Sequence, residues 1–207
     1  MTDQRARLEP TTEADWDDET RSTLLGMADH TNGRVLNVVA TLARHPKLLR
    51  RWLPFGNHVL GGSTLPPRAR ELAILRTGYI ARSRYEWAQH VGMARDVGCT
   101  DSEIERVIVG PEAPGWSTAD RALLRATDEL MAGHFITDGT WEALAEHWTE
   151  LQCIDLVFAV GQYSLVSMAL NTFEVQIEDD VELFPAVLFE GAHFDHRTST
   201  TERGGRT

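Results

Sequence analysis

Two stretches decide the predicted fold: Arg70-Glu71-Leu72-Ala73-Ile74-Leu75-Arg76 and Tyr85-Glu86-Trp87-Ala88-Gln89-His90. Pro66-Pro67 precedes the first stretch and Gly98 follows the second, at positions typical of helix starts and helix ends. Both stretches carry apolar residues at helical spacing. They predict one helix over 66–82 and another over 84–97, each enclosing charged residues within a largely apolar surface.

The rest of the chain is also predicted to be helical, because it has no alternating strand pattern between hairpin turns. Thr100 and Glu103, like Thr149 and Gln152, have the spacing of a capping box and so indicate helix starts. The other predicted helices cover 15–29, 35–45, 46–60, 101–109, 118–134, 138–148 and 150–175. The fold class is therefore predicted to be all-α.

The length of 207 residues fits one domain, which we predict over 1–196. It comprises a motif core over 35–110, a second helical half over 118–175 and a C-terminal arm over 184–196. The segment 197–207, rich in Ser, Thr, Gly and Arg, is expected to be a disordered tail. A faint echo of 70–76 at 120–125, each followed by a helix with Trp and His, raises the hypothesis of two similar helical halves.

The charge and composition narrow the class of protein. A formal net charge of −11 argues against nucleic acid and against an anionic membrane surface, because both attract basic proteins. We expect no apolar run that approaches the length of a membrane span, and no apolar leader. Cys99 and Cys153 form neither a CxxC pair nor a metal-ligand spacing, which predicts a cytoplasmic protein with two inert thiols. The strongly apolar segment 150–175 is expected to be buried on most sides, partly at a subunit interface.

Glu71, Glu86 and His90 are the candidate catalytic residues. Glu86 and His90 are four residues apart, which places both on one face of a helix. Glu71 stands in the apolar run of the preceding helix, where desolvation is expected to raise the pKa of its carboxyl. Two carboxyls and a histidine in one dry pocket push their pKa values apart, which can supply both an acid and a base near neutral pH.

Other interpretations of these residues stay open at the level of sequence. Glu86 and His90 could form a surface ion pair, and Glu71 could be a solvated helix residue. A metal site is disfavoured, because a zinc-protease helix needs two histidines and di-iron helices place Glu and His three residues apart. A Ser83 nucleophile with His90 as its base is disfavoured, because the sequence has no nucleophile elbow.

The spacing of Glu71, Ser83, Glu86 and His90 resembles the motif of the carboxymuconolactone decarboxylase and alkyl hydroperoxidase D superfamily. The two stretches quoted above and the segment 94–98 carry the resemblance, which is strong over 35–110 and general over 118–175. It implies an alkyl hydroperoxidase D-like helical bundle with active sites near subunit interfaces. It also implies a homo-oligomer (trimer or hexamer, with a dimer as the alternative) that uses no metal or organic cofactor.

The peroxidase branch of this superfamily has cysteines at the positions of Ser83 and Glu86. Disulfide exchange needs thiols, and Cys99 and Cys153 lie outside the motif. The sequence therefore resembles the decarboxylase branch better. The expected activity is decarboxylation, or a related proton transfer such as isomerisation or elimination, on a small lactone or carboxylic acid.

Each residue of the trio has an expected role in that activity. His90 is expected to be the main acid/base near its working pKa, with Glu86 orienting it or relaying a proton and Glu71 as the second acid/base. A residual thiol-dependent antioxidant protein and a non-catalytic helical assembly are the alternatives. Candidate substrate contacts are of two kinds. The possible carboxylate-binding residues are Arg76, Arg82, Arg84 and His58, for which solvent exposure is the alternative. The possible pocket-lining residues are Ser83, Tyr79, Tyr85 and Trp87, for which core packing is the alternative.

Overall fold

A computed structural model describes residues 6–28 and 33–185, and the regular structure of these residues is helical. A 3-10 turn at Glu13–Asp15 precedes the first helix, and a π-helical turn at His58–Gly62 continues the third. The predicted all-α fold is confirmed for the described part of the chain. Its helices are α1 (Asp18–Ala28), α2 (Asn37–Leu42), α3 (Pro46–Asn57), α4 (Pro67–Ile80), α5 (Arg84–Asp96), α6 (Asp101–Val109), α7 (Thr118–Gly133), α8 (Asp138–Ala145) and α9 (Glu150–Phe173).

Local sequence signals set most of the helix ends. Both predicted capping boxes form, at the starts of α6 and α9, and Gly98 takes the left-handed φ of 91° after α5. The first helix begins later than predicted, because Asp17 Oδ1 accepts a hydrogen bond from the backbone N–H of Thr20 and so caps a start at Asp18. The predicted end of this helix, at residue 29, lies outside the described residues.

Helix α4 is the central element of the fold. Ala69 and every residue from 71 to 78 are buried, because α5, α6, α7 and α9 all pack against this helix. Leu72 and Leu75 join Trp87 of α5 and Leu123 of α7 in the main core. A helix covered on all sides must place any charged residue it carries inside the protein. Because of this burial, Glu71 is a carboxylate of the protein core and not a solvated helix residue.

A second, smaller core joins the N-terminal helices to α5 and α9. Leu24, Val39 and Leu53 are buried in this core, with Val38 and Trp52 packed at its edge. The same Val38 and Trp52 also pack against a cluster that contains Tyr85 of α5 and residues of α9. Helices α2 and α3 therefore cover one side of α5.

Glu178, in the segment after α9, links helix α2 to helix α5. The Glu178 carboxylate accepts hydrogen bonds from the backbone N–H of Asn37, the Tyr85 hydroxyl and the Gln89 side chain, at 2.8, 2.8 and 2.5 Å. Of the predicted arm, Phe184 is described and its carbonyl accepts a hydrogen bond from Trp87 Nε1. The rest of the arm, over 186–196, and the predicted tail over 197–207 lie outside the described residues.

Helix α9 departs from the prediction in two respects. Its outer face exposes several large apolar side chains, so it is not buried on most sides within one chain. With 24 residues it is also long and apolar enough to cross a membrane by length and composition, so the expectation that no segment reaches this length is wrong. Half of its most apolar window is buried inside the protein, and core helices of soluble proteins meet the same criteria of length and composition. The exposed apolar residues are Leu151, Ile154, Val157, Phe158, Leu165 and Met168.

The hypothesis of two similar helical halves stays a prediction. The two tryptophans of the proposed echo lie in different environments. Trp87 is fully buried, whereas Trp141, its counterpart in the proposed echo, is 44% exposed. His147, the counterpart of His90, is exposed. Among the described residues, only the first half therefore encloses a Glu and His cluster of this kind.

Candidate active site

Glu71, Glu86 and His90 meet in a buried cluster between α4 and α5. His90 Nδ1 lies 2.7 Å from Glu71 Oε2, and His90 Nε2 lies 2.9 Å from Glu86 Oε1. No more than 6% of any of these side chains is exposed. Both ring nitrogens of His90 are thus within hydrogen-bond distance of a carboxylate, so the surface ion pair considered for Glu86 and His90 is not what the structure shows.

The pair of carboxylates controls the charge of His90. Desolvation alone would lower the pKa of a buried imidazole, but the coulombic attraction of Glu71 and Glu86 outweighs it and raises the His90 pKa to about 10. His90 is therefore an imidazolium at neutral pH, and the expectation of a histidine near its working pKa is wrong. Arg70 Nε adds a second positive charge 3.5 Å from Glu71 Oε1, without hydrogen-bond geometry.

The raised pKa of His90 predicts a pH-dependent stability. The folded protein keeps this proton from pH 6.5, where an unfolded histidine loses it, up to about 10. The stabilisation is therefore complete below pH 6.5 and is lost as the pH rises towards 10, at about 1.4 kcal/mol per pH unit for one proton. Urea unfolding between pH 6.5 and about 7.5, where unfolded thiols are still largely protonated, measures this slope.

His90→Gln is the matched variant for that measurement. It should show a free energy of unfolding that no longer falls by this increment over the same pH range. An equal slope in the wild type and in His90→Gln would contradict the assignment of the proton to His90.

The connection between α4 and α5 brings the carboxylates to the histidine. Arg82 adopts a left-handed φ of 54° in the short turn, and the backbone N–H of Ser83 bonds the carbonyl of Gly78 at 2.9 Å. A Cβ on Gly78 would lie 3.3 Å from Cγ of Glu86. Glycine at this position therefore allows the Glu86 side chain to pack directly against α4 on its way to His90.

A cavity of about 130 Å³ opens beside this cluster. Glu86 and His90 line it, whereas Glu71 lies behind His90 and is not part of its wall. Tyr163 of α9 also lines the cavity, and its ring meets the His90 ring edge-on with centroids 4.8 Å apart. The remaining walls come from the cover formed by α2 and α3, from α5 and from α9: Leu36, Val38, Val39, Trp52, Leu53, Gly56, Asn57, Leu60, Tyr85, Gln89, Met93, Gln162, Val166 and Leu170.

The candidate substrate residues do not gather at this cavity. Tyr85 lines it, but its hydroxyl is held by Glu178. Arg82 and Arg84 line a separate cavity of about 300 Å³ on the other side of Tyr85. His58 is exposed on the π-helical turn and is not among the lining residues. Tyr79, Ser83 and Trp87 are also outside the wall.

Contacts elsewhere in the fold explain why several of these candidates do not line the cavity. Trp87 fills the main core and packs edge-on against Tyr79, and Ser83 Oγ is buried without a hydrogen-bond partner among the described residues. Arg76 binds Asp128 through two nitrogens and donates to the carbonyls of residues 107 and 108. Its donors are already used inside the fold, so Arg76 is a structural residue and its predicted role in substrate binding is corrected.

Sequence reasoning missed the residues that close the cavity from distant parts of the chain. Gln162 and Tyr163 are polar groups within a strongly apolar helix, a signal that could have marked them as wall residues. Val38 and Trp52 gave no comparable signal, because apolar residues on a short helix are ordinary core formers. Glu178 was missed because its three partners are remote in sequence.

The two cysteines are placed for packing rather than reaction. Cys99 and Cys153 are both buried in the main core and unpaired. Burial raises the pKa of the Cys99 thiol to about 11 and also raises that of Cys153, so neither forms a thiolate readily. Among residues 6–28 and 33–185, no group of three or more His, Cys, Asp or Glu side chains is arranged to hold a metal ion.

The fold is shared with several solved structures. One is an uncharacterized peroxidase-related protein from Ralstonia eutropha JMP134 with an alkylhydroperoxidase AhpD core, at 24% identity and TM-score 0.72 over 83% of this chain and 93% of that one. Another is an uncharacterized peroxidase-related protein from Silicibacter sp. TM1040, at 16% identity and TM-score 0.76 over 87% and 97%. A cysteine-to-alanine variant of the debrominase Bmp8, in complex with 2,3,4-tribromopyrrole, matches at 14% identity and TM-score 0.70 over 83% and 91%. The chain thus has an AhpD-like helical fold.

The sequence comparison adds a family match to this likeness in fold. Residues 46–129, which include Glu71, Glu86 and His90, match the Carboxymuconolactone decarboxylase family. This match, together with the AhpD-like fold, confirms over this segment the resemblance to the carboxymuconolactone decarboxylase/AhpD-like superfamily that the motif spacing predicted. No curated protein matches the chain at a significant level. The matched segment excludes α2 and α9, which supply much of the cavity wall.

Proposed function

We propose that this protein is an acid/base enzyme that transfers a proton to and from a small organic substrate in the cavity beside Glu86 and His90. The observation that carries the proposal is the buried His90 held between two carboxylates, one of which lines a cavity. Such a cluster holds a proton that is shared between groups of different basicity, which is what general acid/base catalysis requires.

Glu86 is the group that exchanges protons with the substrate in this proposal. Its carboxylate accepts a proton from a substrate carbon next to a carbonyl, and the electron pair left behind is delocalised onto the carbonyl oxygen. The proton then returns to the same or another carbon. In a decarboxylation, the cluster instead supplies the proton that replaces the departing carbon dioxide.

His90 and Glu71 support Glu86 in different ways. The His90 imidazolium donates to both carboxylates, so one proton can move between His90 and Glu86 without changing the net charge of the trio. Glu71 has no place in the cavity wall and acts as a positioning residue, because it holds His90 Nδ1 and stabilises the imidazolium. No metal or organic cofactor takes part in this scheme.

The relatives support an enzyme of this type at different levels of detail. The family match favours a carboxy-lyase or a related lyase or isomerase. One structural neighbour is a debrominase and others are peroxidase-related, so the same fold serves several chemistries. A thiol peroxidase is the less favoured alternative for this chain, because Glu86 occupies the centre of the site and both cysteines are buried elsewhere.

Proton exchange in deuterium oxide tests the proposal with a panel of small ketones, lactones and β-keto acids. The protein is incubated with each compound in turn. NMR then follows deuterium incorporation, and mass spectrometry follows the release of carbon dioxide. We expect protein-dependent exchange or carbon dioxide release with at least one class, retained when Cys99 and Cys153 are both replaced by Ala. Activity lost with the cysteines would establish the thiol alternative, and inactivity across the whole panel would refute the proposal.

A further inference from the structure

The walls of the cavity limit what kind of molecule can enter it. Apart from Glu86 and His90, the described lining residues are apolar or uncharged, and none of them is Lys or Arg. Tyr85 and Gln89 have polar groups, but both are engaged with Glu178. The polar groups that remain at the wall are the amides of Asn57 and Gln162, the phenol of Tyr163 and the indole N–H of Trp52, which has no hydrogen-bond partner among the described residues. A ligand would therefore meet apolar surface with a few neutral hydrogen-bonding groups.

The charge distribution of the cluster makes an anionic ligand unfavourable. Two carboxylates, Glu71 and Glu86, share the single cation of His90, and the second cation, Arg70, stands on the far side next to Glu71. The carboxylate that faces the cavity is Glu86, and the charge of His90, which also lines the cavity, is shared with Glu71 behind it. A ligand carboxylate would lose its hydration in an apolar pocket and meet a negative charge there, and both effects oppose binding.

The size of the cavity sets a further limit. Its volume is about 130 Å³. An engineered apolar cavity of about 150 Å³ in another protein takes up benzene, so this volume corresponds to a molecule of about one six-membered ring. A ring of this size fills the apolar part of the cavity and leaves one polar substituent for the Glu86 end.

We propose that the site accepts an uncharged, largely apolar carbonyl compound of about one ring, rather than a carboxylate. The inference rests on the proposed function, because it names the substrate class of the same site. With such a compound the reaction is a redox-neutral proton shift. Glu86 removes a proton from the carbon next to the carbonyl, and the electron pair moves onto oxygen. After exchange with solvent, Glu86 returns a proton to that carbon or, in a β,γ-unsaturated compound, to the far carbon of the dienolate.

A matched pair of ligands tests the substrate class by binding alone. Cyclohexyl methyl ketone and cyclohexanecarboxylate have the same ring and substituents of the same size, and they differ in charge at neutral pH. Titration of the full-length protein by ligand-observed NMR gives both dissociation constants. We expect the ketone to bind at least about tenfold more tightly than the carboxylate, because only the anion has to be desolvated next to Glu86.

Two variants locate the binding and test its cause. Val38→Phe adds a ring to the cavity wall and should abolish ketone binding while the helical circular dichroism is kept. Met93→Lys places a cation at the wall in a side chain of similar length, and it should narrow the preference for the ketone several-fold by improving carboxylate binding. Met93→Leu is the matched control and should keep the wild-type preference.

The outcomes separate this inference from the proposed function. Equal or tighter binding of the carboxylate, or binding of neither ligand, would overturn the inference, and a decarboxylase acting on an anion could still pass the exchange test above. Ketone binding that survives Val38→Phe in a folded protein would place the ligand elsewhere and also overturn it. Tight ketone binding without any deuterium exchange would support the substrate class and refute the catalytic proposal.

Discussion

Glu86→Gln is expected to slow proton transfer by about 100- to 10,000-fold, the contribution usual for a general acid/base. The carboxamide has nearly the shape of the carboxylate, and its oxygen can still accept a hydrogen bond from His90 Nε2, 2.9 Å away in the wild type. It cannot take up a proton from a substrate carbon. The rate of deuterium incorporation into the best substrate of the panel, together with its pH profile, is the measurement.

Glu105→Gln is the control for this variant. Glu105 is an exposed residue of α6, and the same chemical change there should leave the rate unaltered. Circular dichroism and urea unfolding should show that the Glu86 variant remains folded. A wild-type rate and an unchanged pH profile in Glu86→Gln would reduce Glu86 to a structural residue.

His90→Gln is expected to lower the free energy of unfolding by about 3–5 kcal/mol at neutral pH, the usual effect of removing one partner of a buried ion pair. Without the imidazolium, two carboxylates remain buried within reach of the same position. Urea unfolding at neutral pH measures this loss, and proton transfer should be lost in the same variant.

The double variant Glu71→Gln/His90→Gln distinguishes the charge effect from a packing effect. Removing one of the two carboxylates should restore part of the stability lost in His90→Gln, because a single buried carboxyl remains. His147→Gln, on the exposed surface, should leave stability unchanged. If the double variant is less stable than His90→Gln by the full effect of Glu71→Gln alone, the like-charge explanation is wrong.

Local features of the sequence were sufficient to predict the helices and the closest contacts of the site. The i,i+4 spacing of Glu86 and His90 fixes their relative position on one helix, whatever packs around it. Capping signals at Thr100 and Thr149 act over three residues and predicted the starts of α6 and α9 correctly. The burial of Glu71 followed from the apolar run around it, since such a helix is enclosed on all sides.

Long-range contacts account for what the sequence did not reveal. Arg76 was predicted as a candidate for binding a substrate carboxylate, but its partner Asp128 lies 52 residues further along the chain. The His90 pKa depends on desolvation, which lowers it, and on the attraction of two carboxylates, which raises it. The spacing of these residues along the chain does not indicate which effect is larger. The cavity wall combines α2 with α9, and neither helix carries a pattern that points to the other.

The proposed catalytic residues and part of the cavity wall lie in different segments of the chain. Glu71, Glu86 and His90 lie within the family segment 46–129, whereas Leu36, Val38 and Val39 precede it and residues 162–170 of the wall follow it. The groups proposed to move the proton and many of the groups proposed to select the substrate are thus encoded in different parts of the gene. Substitutions in those outer segments could redirect the enzyme to another compound and leave its proton chemistry intact.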